Sequence, residues 1–108
     1  MKVLGLCVLL GLIGCSGVGA PDHELIFKQA RLRLVHIPGD YGQEQIRAVA
    51  KEVCGYGDVC VAVFWRDRSM VPRRNRSTPE QNKAKYAYYN LNKGSGLDRV
   101  RICSLEQC

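Results

Sequence analysis

The run from Val59 to Trp65 (Val-Cys-Val-Ala-Val-Phe-Trp) narrows the folds open to this chain more than any other segment. It is apolar throughout, rich in β-branched and aromatic residues, and shows no polar alternation. A short continuous apolar stretch of that kind suits a strand covered on both faces, at the centre of a sheet. It stops abruptly at Arg66-Asp67-Arg68, where charge takes over.

The flanking segments supply partners for such a strand. From Ala30 to Ile37, Arg31 and Arg33 alternate with Leu32 and Leu34, the period of a strand with one wet face. Pro38-Gly39 ends it, and Asp40 with Gln43 reads as a capping box opening a helix. Ile46, Val49, Ala50 and Val53 then fall on one face of that helix, with Gly55 available as a left-handed stop. After a loop containing Pro72, Thr78 with Pro79 and Gln81 predicts a second helix start, and Ala84, Ala87, Tyr88 and Leu91 predict its apolar stripe. Lys93-Gly94-Ser95-Gly96 breaks it, and Arg99 to Ile102 alternates as a last strand. The expected fold class is therefore α/β: a small two-layer β-α-β-α-β domain with a three-stranded sheet, Val59–Trp65 in the middle and the arginine-bearing strands at the edges. Right-handed crossovers would put both helices on one face. The direction of the third strand is left open.

A chain of 108 residues holds one small domain. Cores of that size often have covalent help, and Cys54, Cys60, Cys103 and Cys108 are placed to give it. Four cysteines allow three pairings. Sequence proximity favours Cys54–Cys60 and Cys103–Cys108, each closing a short loop worth roughly 2 kcal/mol. A zinc site is the weaker alternative, because neither pair is a C-x-x-C and His23 and His36 lie far from both.

The N-terminus carries an address. Lys2 precedes an uncharged run from Val3 to Gly14, which ends in small residues, as a secretory signal does. The run is too short to span a bilayer. Leu12-Ile13-Gly14-Cys15 resembles the lipobox of small bacterial lipoproteins. That resemblance covers about the first sixteen residues. It implies that residues 1–14 are a signal peptide, that Cys15 becomes the fatty-acylated N-terminus, and that Ser16 favours the outer membrane, with the protein facing the periplasm. Ordinary cleavage after Val18-Gly19-Ala20 would leave Pro21 just beyond the cut, an unfavourable residue there. A retained helix would be apolar all round, unlike an amphipathic surface helix. Residues 15–24 then read as a lipidated tether and 25–108 as the single folded domain, in an oxidising envelope that suits disulfides.

Function is written more faintly. The chain is basic, with a formal charge of +6. Arg66, Arg68, Arg73, Arg74 and Arg76 crowd one loop after the expected central strand, and Lys83 and Lys85 follow among tyrosines. Such loops are favoured places for binding residues, and guanidinium forks suit phosphate and carboxylate. The plain alternative is a solvated loop that keeps a small domain soluble, with Tyr88 in the core. Nucleic acid is not an expected partner of an exported, tethered protein, although basic residues among aromatics can bind it. Asp67 is the one acid at the strand end and is read mainly as an organiser of the turn. His36 reads as structural, and His23 lies in the tether. There is no G-x-S-x-G elbow; Gly94-Ser95-Gly96 and Gly55-Tyr56-Gly57 do not open helices; no metal, nucleotide or cofactor motif occurs. The expectation is a membrane-anchored envelope lipoprotein, not an enzyme, that binds a protein or an anionic envelope component through these seven basic residues. Alternatives are an exclusion- or immunity-type lipoprotein that blocks an incoming partner, and a small envelope hydrolase using Asp67.

Overall fold

The computed structural model describes residues 19–108; the expected signal peptide 1–14 and Cys15 lie outside the described residues. The elements in chain order are β1 (Glu24–Gln29), β2 (Leu32–His36), α1 (Gln43–Cys54), β3 (Val59–Trp65), a 3-10 turn (Arg68–Met70), α2 (Pro79–Lys83), β4 (Lys85–Asn92) and β5 (Leu97–Ile102). The strands form one five-stranded sheet in the order β1-β2-β3-β4-β5. β2 and β3 are parallel, joined by α1, and the other neighbours are antiparallel.

This overturns the expected three-stranded β-α-β-α-β layout at two places. Glu24–Gln29 folds back on β2 as a hairpin, with Gln29 opposite Leu32, so β2 is an interior strand. The expected second helix is only Pro79–Lys83, after which the chain straightens into β4. Ala84, Ala87, Tyr88 and Leu91 do fit a helical stripe, but Ala87, Tyr89 and Leu91 also fit period two. Tyrosine and the sheet edge offered by β3 decide for the strand. The Lys93–Gly96 turn then returns the chain as β5, antiparallel to β4, with Gly96 at φ +78°.

Val59–Trp65 is the central strand, as its composition requires, and both of its faces are covered along most of its length, with Val59 and Val61 half-buried. On the first face α1 lays Ile46, Val49, Ala50 and Cys54 against Val35, Ala62, Phe64, Tyr89 and Val100. The helix starts later than expected, at Gly42, whose N–H donates to Gln45 Oε1 at 3.0 Å. Gly55, at φ +64°, ends it as expected. On the second face Leu34, Val63 and Trp65 meet Met70 and Val71 from the long loop and Ala84 from the end of α2. The Trp65 indole N–H donates to Gln81 O at 2.8 Å and fixes α2 on that side. The two helices thus lie on opposite faces, not on one. The cysteines pair as sequence proximity suggested: Cys54 with Cys60, S–S 2.04 Å, and Cys103 with Cys108, S–S 2.11 Å.

Candidate functional site

The basic loop is a strap across the sheet with an apolar underside. Val71 and Pro72 are buried, while every residue from Arg73 to Glu80 is exposed. The turn that aims it is built by Asp67. Its Oδ1 accepts from Ser69 N–H at 3.0 Å and from the Ser69 hydroxyl at 2.7 Å, capping the 3-10 turn. Those hydrogen bonds hold the Asp67 carboxyl below the ordinary carboxylate range. The Ser69 hydroxyl is thereby committed to an acid, and His36 Nε2 lies 3.1 Å from Arg66 O. No serine-to-histidine relay forms from these three side chains.

The seven basic candidates divide by partner. Arg66 pairs with Asp40 and stacks over Tyr86 with its guanidinium 5.2 Å from the ring centre. Arg68 makes a two-pronged bridge to Glu24, Nε to Oε1 at 2.6 Å and Nη2 to Oε2 at 2.9 Å, tying the strap to β1. Arg68's hydrogen bond is the main reason the Glu24 carboxyl sits below its usual range. These two arginines position the strap. Arg73, Arg74, Arg76 and Lys83 form no ion pair among the described residues, and residues 1–18 contain no acid.

Lys85 is different again. Its ammonium donates to the Tyr88 hydroxyl and lies 4.9 Å from that ring's centre. Arg101 approaches the same ring, at 5.4 Å. Arg101 lies outside the seven candidates, because a helix through residues 84–91 would give Tyr88 no cross-strand neighbour. In the β4–β5 ladder Tyr88 stands directly opposite Arg101. The alternation of Arg99, Val100, Arg101 and Ile102 was the signal that could have found it.

Two recesses flank this region. A cleft of about 880 Å³ lies beyond the carboxyl ends of the parallel strands β2 and β3, beside the start of α1, with Asp40, Tyr41, Arg66, Lys83 and Tyr86 in its walls. That is the crevice position open sheets use for ligands. Its polar groups are mostly engaged with one another: the Tyr86 hydroxyl donates to Tyr41 O at 2.6 Å, and the Tyr41 hydroxyl to Asp22 O at 2.8 Å. The second recess runs under the strap, over the second face of the sheet, between Arg31 and Lys85. Among the described residues no cluster of three or more His, Cys, Asp or Glu could hold a metal ion. None of the described helices is long and apolar enough to cross a membrane.

No family model, curated protein or solved structure matches this chain.

Proposed function

We propose that this chain is an envelope lipoprotein, anchored through acylated Cys15 to the outer membrane and facing the periplasm, whose folded domain binds a protein or an anionic envelope component. The observation that carries the binding role is the gathering of unpaired cations. Arg73, Arg74, Arg76, Lys83, Lys85 and Arg101 lie on the strap, α2 and the sheet beneath, without a carboxylate partner among the described residues. Several cations elsewhere are answered, Arg47 and Lys51 by Asp98, Arg66 by Asp40, Arg68 by Glu24, Lys93 by Asp58 and Arg99 by Glu106, whereas, among the described residues, Lys28 and Arg31 near the β1–β2 turn are not. A strap pinned at Arg68 and Trp65 presents its free guanidinium groups at little further ordering cost, which favours binding.

The membrane address rests on Leu12-Ile13-Gly14-Cys15 and is compatible with two cysteine pairs at disulfide distance. Ala20 packs against the core and Asp22 is held by Tyr41, so the free part of the tether would be short. A short tether keeps the basic face near the membrane.

Two measurements test this. Cys15→Ala should abolish fatty-acid labelling and release the protein from membranes; retention of label would remove the anchor. The purified domain should co-sediment with outer-membrane vesicles, more weakly as salt rises, and replacing Arg73, Arg74 and Arg76 by Ala should flatten that dependence. Sedimentation unchanged by salt or by the triple replacement would sink the binding role.

A further inference from the structure

The recess under the strap has a floor that a finished sheet face would cover. Leu32 and Val61 are register partners in the parallel pair β2–β3, yet both stay half-buried although they lie on interior strands. The floor continues over Leu34 and Val63 to the Tyr88 ring, and Asn75 of the strap borders both halves of the recess, of about 550 and 190 Å³. Cations stand around this apolar strip. Arg31 lies at the Val61 end, Arg74 along the wall, Lys85 at the Trp65 end, and Arg101 beside Tyr88. None of the four has an acidic partner among the described residues.

We propose that this groove is a docking site for an extended acidic segment of a partner protein, carrying aliphatic side chains between its carboxylates. The inference rests on the reading that the strap side is the binding side, and names its partner. One feature calls for an anion, and a second calls for an extended one. Lys85 and Arg101 converge on one tyrosine ring, so their mutual repulsion is relieved by a carboxylate arriving between them. Charge also stands at both ends of the strip, from Val61 to Trp65, a span of roughly 13 Å at strand rise. An extended peptide matches it, since alternate side chains repeat every ~7 Å on one side and can set acids over the cations and leucines on the floor. A lipid carries its charge at one end and would leave the other cations unanswered.

The chain's single tryptophan, Trp65, lines this groove and reports on it. Titration with a short end-capped peptide of the pattern Glu-Ser-Leu-Ser-Glu, whose two acids and leucine share one side when extended, should change Trp65 fluorescence saturably, with affinity falling as salt rises. Arg101→Gln and, independently, Arg31→Ala in the exposed turn should each weaken it, and the two together by about tenfold. Val61→Ser should weaken it at unchanged salt dependence. Circular dichroism of each variant confirms that it folds. The same peptide with serine for leucine should bind far less well; equal binding would mean that charge alone attracts it and would overturn the groove. Fluorescence that ignores the peptide but responds to phosphatidylglycerol vesicles would overturn it in favour of a membrane surface. Either result leaves vesicle co-sedimentation through Arg73, Arg74 and Arg76 standing, so failure of the groove is distinguishable from failure of the binding role.

Discussion

Arg33 Nε donates to Val53 O across 2.9 Å, joining an interior strand to the last turn of α1. The same guanidinium donates through Nη1 to Ala30 O at 2.7 Å and Leu32 O at 3.0 Å. Only 9% exposed, it answers a helix-end carbonyl that would otherwise go unpaired, and it braces the β1–β2 turn. Arg33→Met keeps the stem's packing but orphans those carbonyls. It should cost about 2 kcal/mol in urea unfolding. Arg33→Lys should not restore it, because one ammonium cannot reproduce the fork.

The turn that Arg33 braces contains a strained residue. Ala30 has φ +51°, in the left-handed region where a Cβ is disfavoured. Ala30→Gly should therefore raise stability by about 1 kcal/mol, less whatever entropy glycine adds to the unfolded chain. A lower urea midpoint for this variant would show that the turn's conformation is not a source of strain.

Cys54 and Cys60 close the connection between α1 and β3 and are both buried, whereas Cys108 ends an exposed tail bonded to Cys103. Replacing Cys54 and Cys60 by Ala should cost about 2–3 kcal/mol. The Cys103–Cys108 bond closes a loop of similar size but restrains less structure, so its removal should cost less. Thermal melts of the two double variants give the order, and non-reducing peptide maps check the pairing.

What was legible followed how many structures a local pattern can serve. Val59–Trp65 admits one role, a covered central strand, and takes it. Ile46, Val49, Ala50 and Gly55 define α1 because no competing period runs through them. Lys85–Asn92 serves two periods at once, and only the presence of β3 beside it selects the strand. Arg33 looked like the wet face of an edge strand because a sequence does not show that Val53 O lies within reach. Within the basic loop, charge density marked the region, but which arginines were free depended on Glu24 and Asp40, distant in sequence from Arg68 and Arg66.

Stability should fall at both ends of the pH scale for different reasons. Glu24's folded pKa lies below its ordinary value because Arg68 hydrogen-bonds to it. Its contribution is present above the unfolded value of about 4.3 and is lost as pH falls through the lower folded value. Tyr89 is raised, by burial first and then by the neighbouring Asp98 carboxylate. Its contribution is present below about pH 10 and is lost as pH rises through the higher folded value. Glu24→Gln should lessen the acid limb alone, leaving the share of Asp67 and Asp98, which are also lowered. The phenolate absorbance of the parent less that of Tyr89→Phe should appear only as the fold opens, and Tyr89→Phe should lessen the alkaline limb, to which Tyr41 and Tyr86, also raised by burial, contribute.

Asp67 is the residue on which a hydrolase reading and a structural reading separate. As a cap, its essential property is an oxygen at Oδ1 that accepts from Ser69 N–H, and an amide oxygen supplies the same bond. Asp67→Asn should therefore keep the strap in place, with vesicle binding and its salt dependence unchanged. Asp67→Ala removes the acceptor, should cost about 1 kcal/mol, and should loosen the start of the strap. Arg68 would then hold Glu24 less firmly, so hydrogen exchange at Ser69 and Met70 should rise in the alanine variant and stay low in the asparagine one. A carboxylate needed for proton transfer behaves in the opposite way, since neither asparagine nor alanine can take a proton at neutral pH. Equal loss of biological activity in both variants, with Asp67→Asn as stable as the parent, would assign Asp67 to chemistry and not to the turn.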